Sequence, residues 1–351
     1  MKEGAIEIST IFLLIEREEA RVQFVANDGD LALLYDLIEP YLKVSKISNI
    51  SHSIWTIYVI PELVPDGCKL KEITEDSPDG PGTRVFMNGE ARVMAINQSD
   101  HKWRILYTLR MIRNLLRWQL YEQGKLFMHG GLAGVGRKGV AYLGGKKSGK
   151  TSSILALLNY GAHYCSNDDL TFLVEETEVR ALGWPRSLCI RKDSLYALQA
   201  VNPHYVRMIE ELKHPSNEHV EHNTEGEQYR KSLGLYFYPK EIAIASGQRI
   251  EPEVPLSMIV FPKFIGREGK KAYLERINPG EALELLEQNL EQYPEKYCGF
   301  LGKYFQEPNN NFYEQLTLLS RNIPCYRLFQ TFDALDDGAK LITGEVEKFK
   351  D

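Results

Sequence analysis

The sequence lacks the features that mark disulfide-stapled, zinc-binding and membrane-spanning proteins. Its five cysteines are scattered and form no C-x-x-C pair, which argues against a disulfide framework and a zinc site and favours a reduced compartment. No uninterrupted apolar stretch approaches the roughly 18 residues that suggest a membrane helix. Charges interrupt the first eight residues, so we expect no signal peptide. Together these absences predict a cytoplasmic protein with no membrane partner.

An excess of basic charge is also lacking. The 351 residues carry a formal net charge of −6, so bulk electrostatics give no reason to expect a nucleic-acid partner. Hydrophobic residues make up 43% and charged residues 26%, which is ordinary for a globular protein of one large or two medium domains. The composition therefore leaves the function to be read from local motifs.

The pattern of the chain changes near residue 100. Residues 1–100 are rich in strand-like segments, and Asn88-Gly89 between two of them is a strong hairpin signal. Over residues 103–121, apolar side chains recur every three or four positions, which predicts a helix whose polar residues form a solvated face. We therefore predict a small β-rich N-terminal domain at residues 1–100 and a larger α/β domain at residues 103–351.

Residues 144–151 read Gly-Gly-Lys-Lys-Ser-Gly-Lys-Thr and match the G-x-x-x-x-G-K-[ST] motif of a phosphate-binding loop. A strand-like segment precedes this glycine-rich loop and a helix-like segment follows it, which is the context the motif requires. Glycines let the backbone wrap around an anion, and the helix N-terminus adds partial positive charge. Lys150 can reach the terminal phosphates and Thr151 can offer its hydroxyl to Mg²⁺. The predicted nucleotide-binding residues are Gly144, Gly145, Lys146, Lys147, Ser148, Gly149, Lys150, Thr151 and Ser152.

Acidic and imidazole side chains follow neighbouring strands. Asp168 and Asp169 end the strand after the loop helix, where the carboxyl end of a parallel strand faces the same rim as the loop. Strand alternation is expected to direct only one of them into the site, where it could bind the metal. His129 ends another strand and can accept or relay a proton, unless it is a core histidine. The catalytic candidates are His129, Lys150, Asp168 and Asp169, and the metal ligands are Thr151 and Asp168.

Residues 115–173 resemble the catalytic domain of HPr kinase/phosphorylase and its wider relatives. The shared order is a helix, a strand ending in His129-Gly, the glycine-rich loop and its helix, and a small residue before an acidic pair. The resemblance implies an α/β P-loop kinase core of the HPr kinase and phosphoenolpyruvate carboxykinase type. It implies ATP and Mg²⁺ as cofactors and a serine hydroxyl of a peptide or protein as acceptor. Lys150 would then hold phosphates, Thr151 the metal, and His129 would lie near the reacting group.

Asn167 departs from the pattern of that family. The family's acidic pair falls on Asn167 and Asp168, and its first carboxylate is credited with activating the serine. An amide cannot accept a proton at neutral pH. Either Asp168, Asp169 or His129 takes over this role, or the protein binds nucleotide without efficient transfer. The family signature that couples kinase to phosphorylase activity is not found, so the reverse reaction is not expected.

The resemblance also suggests partners. Some relatives, including lasso-peptide tailoring kinases, phosphorylate a precursor peptide and carry an unrelated N-terminal module. HPr kinases assemble as hexamers, which implies a homo-oligomer. Two alternatives stay open: a kinase of a small-molecule hydroxyl on the same core, and a nucleotide-binding regulatory protein with weak catalysis. Transfer of phosphate requires groups that offset developing charge, and the candidates for such contacts are Asn167, Arg230, Lys231 and Lys240.

Overall fold

The chain folds into two compact units. The first comprises Met1–Gln123 and Pro294–Glu307, and the second comprises Gly124–Tyr293 and Pro308–Asp351. The sequence pattern places a boundary near residue 100, whereas the contacts divide the chain after Gln123, because the helix that ends there packs on strands of the first unit. The computed structural model describes residues 10–75, 80–218, 234–265, 269–291, 293, 299–308 and 311–349.

Seven strands form within the described residues of the first unit. They are β1 (Thr10–Arg17), β2 (Ala20–Asn27), β3 (Lys43–Lys46), β4 (Thr56–Tyr58), β5 (Lys71–Glu75), β6 (Thr83–Asn88) and β7 (Val93–Asn97). They form one sheet in the order β3-β1-β2-β4-β7-β6-β5. β4 runs parallel to β2 and to β7, and the other neighbours are antiparallel. The helices of this unit are α1 (Asp28–Ile38) and α2 (His101–Glu122), and short 3₁₀ helices cover Pro61–Leu63 and Gly299–Tyr304.

The predicted hairpin between β6 and β7 is present, with a longer connection than two residues. Asn88 pairs with Val93, so residues 89–92 form the loop. The Asn88 side chain accepts a hydrogen bond from the Ala91 amide at 3.0 Å, and Arg92 has a φ of 54°. The asparagine therefore stabilises the turn through its side chain.

The prediction of a solvated polar face on α2 is wrong. Arg113, Asn114 and Arg117 are all buried. One side of α2 packs on α1 and β2, and on another side the Trp118 ring stacks on Phe305 with centroids 5.8 Å apart. Phe305 belongs to the segment Pro294–Glu307, which is distant in sequence but part of this unit. The periodicity of the helix sequence cannot predict that such a distant segment buries its polar side.

The second unit contains the remaining strands and helices. The strands are β8 (Leu126–Met128), β9 (Gly130–Val135), β10 (Lys138–Leu143), β11 (His163–Ser166), β12 (Leu170–Val174), β13 (Val179–Gly183), β14 (Leu188–Arg191), β15 (Gly234–Phe237), β16 (Glu253–Phe264), β17 (Tyr273–Arg276) and β18 (Cys325–Gln330). The helices are α3 (Lys150–Leu158), α4 (Lys192–Leu198), α5 (His204–Arg207), α6 (Pro239–Ser246), α7 (Pro279–Asn289), α8 (Phe312–Asn322) and α9 (Leu335–Val346), and a 3₁₀ helix covers Phe332–Ala334.

The large sheet of the second unit is mixed. It runs β11-β9-β10-β16-β13-β12-β8, with β18 also paired to β16 and β17 paired to β18. β10, β16 and β18 are mutually parallel neighbours, so their carboxyl ends share one rim. β9 is antiparallel to both β10 and β11, and therefore β11 also runs toward that rim. The glycine-rich loop after β10 and the polar residues after β11 thus meet at the same edge.

The described residues of this unit form two apolar cores. In the first core, α3 and α9 pack against Val140, Tyr142 and Val260 of the sheet. In the second core, α7 and α8 pack against Ala141 and Ile259, which are adjacent in sequence to residues of the first core. Strand alternation sends adjacent residues of β10 and β16 into different cores. Among the helices of the described ranges, none combines the length and the apolarity that crossing a bilayer demands.

We predict that Gly183→Ala lowers the free energy of unfolding by about 1–3 kcal/mol, the usual cost of overpacking. A Cβ at Gly183 would lie 2.6 Å from the Cys165 carbonyl oxygen and 2.9 Å from Ser166 Cβ. Because these are backbone-bound atoms, the strand itself would have to move. Urea unfolding measures the change.

Gly344→Ala in α9 is the matched control, since a Cβ there meets nothing within 4 Å. The same added methyl group is expected to stabilise by up to about 1 kcal/mol, because alanine favours helix. Equal unfolding midpoints for the two variants would contradict the close approach at Gly183.

Candidate functional site

The glycine-rich loop connects β10 to α3 by a backbone that most residues avoid. Gly144 has a φ of 151°, Lys147 of 67° and Gly149 of 108°. A Cβ at Gly149 would also approach Phe264 Cε2 to 2.8 Å. Glycine at this position is therefore required by both conformation and space. The turn brings the chain directly into α3, whose first-turn amides lack carbonyl partners within the helix and favour an anion.

Lys150 is buried at the centre of the site, with only 6% of its surface exposed. Its ammonium donates hydrogen bonds to the carbonyl oxygens of Gly144 at 2.6 Å and Gly145 at 3.3 Å. Burial lowers the pKa of Lys150, and the charge of Asp168 opposes that shift. The ammonium is thus held inside the loop, at the place where a phosphate chain would need a positive charge.

His129 lies between β8 and β9 and faces this lysine. Its Nε2 is 3.4 Å from Lys150 Nζ, and its backbone amide donates to the Asn289 carbonyl at 2.9 Å. Burial lowers the pKa of His129, and the charge of Lys150 lowers it further, while the carboxylates of Asp168 and Asp169 act in the opposite direction. A neutral imidazole is therefore favoured, and its Nε2 can accept a hydrogen bond or a proton.

Thr151 and Asn167 form a direct pair across the site. The Thr151 hydroxyl donates to Asn167 Oδ1 at 3.0 Å. Asn167 is buried, and its Nδ2 has no hydrogen-bond partner within the described part of the chain. The same holds for Ser148 Oγ in the loop. Buried polar groups normally have a partner, and an anionic oxygen in the loop is a suitable one for either donor.

Asp168 occupies the turn between β11 and β12 rather than a strand. Its φ of 69° is uncommon for a residue other than glycine, although aspartate tolerates it better than most. Its carboxylate acts electrostatically on both His129 and Lys150. Strand alternation consequently does not apply to this pair, and the carboxylate of Asp169, like that of Asp168, raises the pKa of His129.

Asp169 is anchored by a residue that the sequence analysis did not select. Its Oδ1 lies 2.7 Å from Arg186 Nη1, and the carboxylate is almost fully buried while the arginine is one-third exposed. Arg186 also lowers the pKa of His129 through its charge. No short motif marks Arg186, which lies 17 positions from Asp169 in the sequence. The tertiary fold makes Arg186 a member of the charged cluster at the rim.

Hydrogen bonds through Ser153 connect the glycine-rich loop to the end of β18. Gln330 at the end of β18 is buried, and its Nε2 donates to Ser153 Oγ at 2.6 Å. Ser153 Oγ in turn donates to the Gly149 carbonyl at 2.9 Å. No motif marks Gln330, because the connection spans 177 positions of sequence separation. The link fixes the carboxyl end of β18 against the first turn of α3.

The remaining predicted site residues have different placements. Lys146 and Lys147 are exposed on the loop, and Ser152 is buried in the first turn of α3. Lys240 is half-buried in the first turn of α6, a helix that packs on α5 and β11. Arg230 and Lys231 lie outside the described residues. The described cluster therefore contains His129, Lys150, Thr151, Asn167, Asp168, Asp169 and Arg186.

The oxygen atoms of this cluster suit a hard cation. Thr151 Oγ1 and Asn167 Oδ1 are adjacent, and the Asp168 carboxylate lies in the following turn. Within the described ranges, no group of three or more His, Cys, Asp or Glu side chains could hold a metal ion. Mg²⁺ commonly binds through one or two protein oxygens together with water and substrate phosphates. The donor set therefore fits Mg²⁺ in company with a nucleotide better than a stand-alone metal site.

Comparisons with known proteins give little beyond this geometry. No family model and no curated protein matches the chain. Among solved structures, it is similar to the HPr(Ser) kinase/phosphatase of Coxiella burnetii, at 9% identity over 63% of this chain and 88% of that chain, with a TM-score of 0.29. A likeness this distant carries no argument about function, so the site has to be interpreted from its own contacts.

We predict that tripolyphosphate raises the pKa of His129, which in the free protein lies below the ordinary histidine value of about 6.5. Burial and the Lys150 charge disfavour the imidazolium in the fold. The unfolded chain therefore protonates His129 at a higher pH than the folded chain does. As a result, the free energy of unfolding falls as the pH drops below about 6.5. A polyphosphate anion in the loop favours the imidazolium and reverses part of the shift.

Proton–carbon NMR of the histidine Cε1 resonances, assigned with His129→Asn, measures this pKa with and without tripolyphosphate. The resonance of the exposed His52 in the first unit is the control and should not respond to the anion. A His129 resonance that titrates at or above the ordinary value, or ignores the anion, would contradict the arrangement.

Proposed function

We propose that the protein is an ATP- and Mg²⁺-dependent kinase that transfers the γ-phosphoryl group to a serine hydroxyl of a peptide or protein. The main support is the contact between Lys150 and His129. This contact places the Lys150 ammonium, which is suited to holding phosphate, beside the His129 imidazole, which is suited to accepting a proton. The choice of serine rests on the resemblance of residues 115–173 to HPr kinases.

The loop supplies the binding step. The amides of the first turn of α3 and the orphaned Ser148 Oγ offer donors to phosphate oxygens. Lys150 exchanges its two loop carbonyls for the terminal phosphates and offsets the charge that develops during transfer. Mg²⁺, held by Thr151 and Asp168, would neutralise further charge on the phosphates. Positioning and electrostatics thus account for the catalysis we propose.

His129 supplies the proton acceptor. The serine oxygen forms the new bond to phosphorus as the bond to the ADP oxygen breaks, and the hydroxyl proton passes to His129 Nε2. This nitrogen becomes available when Lys150 turns toward the phosphates. The carboxylates of Asp168 and Asp169 favour the resulting imidazolium, because both raise the pKa of His129. Asn167 takes no proton, and its contact with Thr151 positions that hydroxyl.

Asn167 also supports a second candidate from another class, a nucleotide-binding regulatory protein with weak catalysis. Its amide stands where the resembled family has a carboxylate, and it is already engaged by Thr151. Such a protein would bind ATP through the same loop and turn over slowly. A small-molecule hydroxyl kinase is the remaining alternative, and the acceptor assay distinguishes it from a peptide kinase.

We predict that Lys150→Ala reduces phosphoryl transfer from labelled ATP by at least about 100-fold, the scale of losing a preorganised charge contact in a catalytic site. The variant removes the ammonium that lies among the loop carbonyls and His129. Transfer is measured with serine-containing peptides and with small-molecule alcohols as acceptors, and circular dichroism checks that the fold is retained.

Lys271→Ala removes an exposed lysine and should leave transfer unchanged. Undiminished activity in Lys150→Ala would overturn the site assignment. Tight ATP binding by the wild-type protein with no transfer to any acceptor would favour the regulatory candidate.

We further predict that Asn167→Asp raises the rate of transfer by on the order of tenfold, about 1.4 kcal/mol. A carboxylate beside Thr151 provides a stronger, charged acceptor for the hydroxyl and a better oxygen for Mg²⁺. The rate is measured across a range of Mg²⁺ concentrations, and the gain should be largest at low Mg²⁺.

Asn311→Asp is the matched control. Asn311 caps α8 by accepting from the Tyr313 amide at 3.1 Å, and aspartate caps equally well. It should change neither rate nor Mg²⁺ dependence. A rate for Asn167→Asp equal to or below that of the wild type, with ATP binding retained, would show that the amide is the better group at this position.

A further inference from the structure

The nucleotide that the proposed function requires has two ends, and the described cluster accounts for only one of them. His129 and Asp168 lie on the side of the glycine-rich loop occupied by β9 and β11. β16 and β18 lie on the other side of β10. With the phosphates in the loop and the acceptor beside His129, the nucleoside extends toward the carboxyl ends of β16 and β18.

Two stacked aromatic rings stand at that end of the rim. Phe264 is the last residue of β16, and its ring packs so closely on the loop that a Cβ at Gly149 would come within 2.8 Å of it. Phe332 follows β18, and its ring stacks on Phe264 with centroids 4.5 Å apart and planes inclined by 21°. Both side chains are only partly buried. A partly exposed aromatic pair, packed against the core that contains α3, therefore adjoins the last residue of the loop.

Hydrogen bonds fix this aromatic pair relative to the loop. The Ile265 amide donates to the Gln330 carbonyl at 3.1 Å, which joins the ends of the two strands. The Gln330 side chain donates to Ser153 Oγ at 2.6 Å, and Ser153 Oγ donates to the Gly149 carbonyl at 2.9 Å. The platform and the start of α3 are thus parts of one connected framework, which suits a ligand that must contact both.

We propose that the Phe264–Phe332 pair is the platform on which the nucleobase of the bound nucleoside triphosphate stacks. This inference rests on the proposed function, because the loop must hold the phosphates for the base to reach the rings. Every base has a π face that stacks on an aromatic side chain, and a purine offers the larger area. The pair provides affinity for the nucleoside, whereas the loop provides affinity for the phosphates.

Isothermal titration calorimetry with ATP and with inorganic tripolyphosphate separates the two contributions. Loss of one stacking ring typically weakens binding of a base by about 10-fold, which is about 1.4 kcal/mol. We expect Phe332→Leu to weaken ATP by about that factor and to leave tripolyphosphate unchanged. Phe264→Leu is the second variant and should have the same selective effect. Retained tripolyphosphate affinity also shows that the loop is still folded.

Phe329→Leu is the matched control, in β18 and three residues before Phe332. Phe329 stacks on Tyr273 with ring centroids 4.6 Å apart. Its replacement by leucine should change the affinity for neither ATP nor tripolyphosphate. Equal losses for ATP and tripolyphosphate in both platform variants, or unchanged ATP affinity, would overturn the platform. Failure of the wild-type protein to bind either ligand would instead overturn the proposed function, so the two failures are distinguishable.

Discussion

The burial of one ammonium group governs the arrangement of the whole rim. Lys150 lies inside the loop, and a buried charge is tolerated only when polar groups surround it. Two carbonyls of the loop and the imidazole of His129 provide that surrounding, while Asp168 acts on it through its charge. Each of these partners is held by a different segment. The left-handed turns of the loop and the position of His129 at the end of β8 therefore determine which contacts the ammonium makes.

The mixed sheet makes this convergence possible. β9 enters between β10 and β11 in the opposite direction, so both flanking strands finish at the same edge. The same strand begins directly after His129, which lies next to the loop because Gly130 pairs with Leu143. On the far side, β16 and β18 bring a serine–glutamine link and two aromatic rings to the loop. The rim thus carries the charged cluster on one side of the loop and the aromatic pair on the other.

Asn167 and its acidic neighbours make different contacts within the charged cluster. Asn167 engages Thr151 through its oxygen, and the negative charge near His129 comes instead from Asp168 and from Asp169, which Arg186 restrains. The electrostatic role and the positioning role are therefore divided between neighbouring residues. The two proposed functions, an efficient kinase and a slow nucleotide binder, would share this framework and would differ in how well His129 accepts a proton.

The sequence alone determined the glycine-rich loop, the strand and helix around it, and the β-rich character of the region before residue 100, because these depend on local conformation and on the period of apolar residues. It also singled out His129, Lys150, Thr151, Asp168 and Asp169 as site candidates, although it placed the two aspartates at the end of a strand rather than in a turn. Only the tertiary structure decided that Asp169 is paired with Arg186, that Gln330 supports the loop, and that α2 has no solvated arginine face at Arg113 and Arg117. These contacts join segments far apart in the chain, and neither periodicity nor a short motif carries information about which distant side chain covers another.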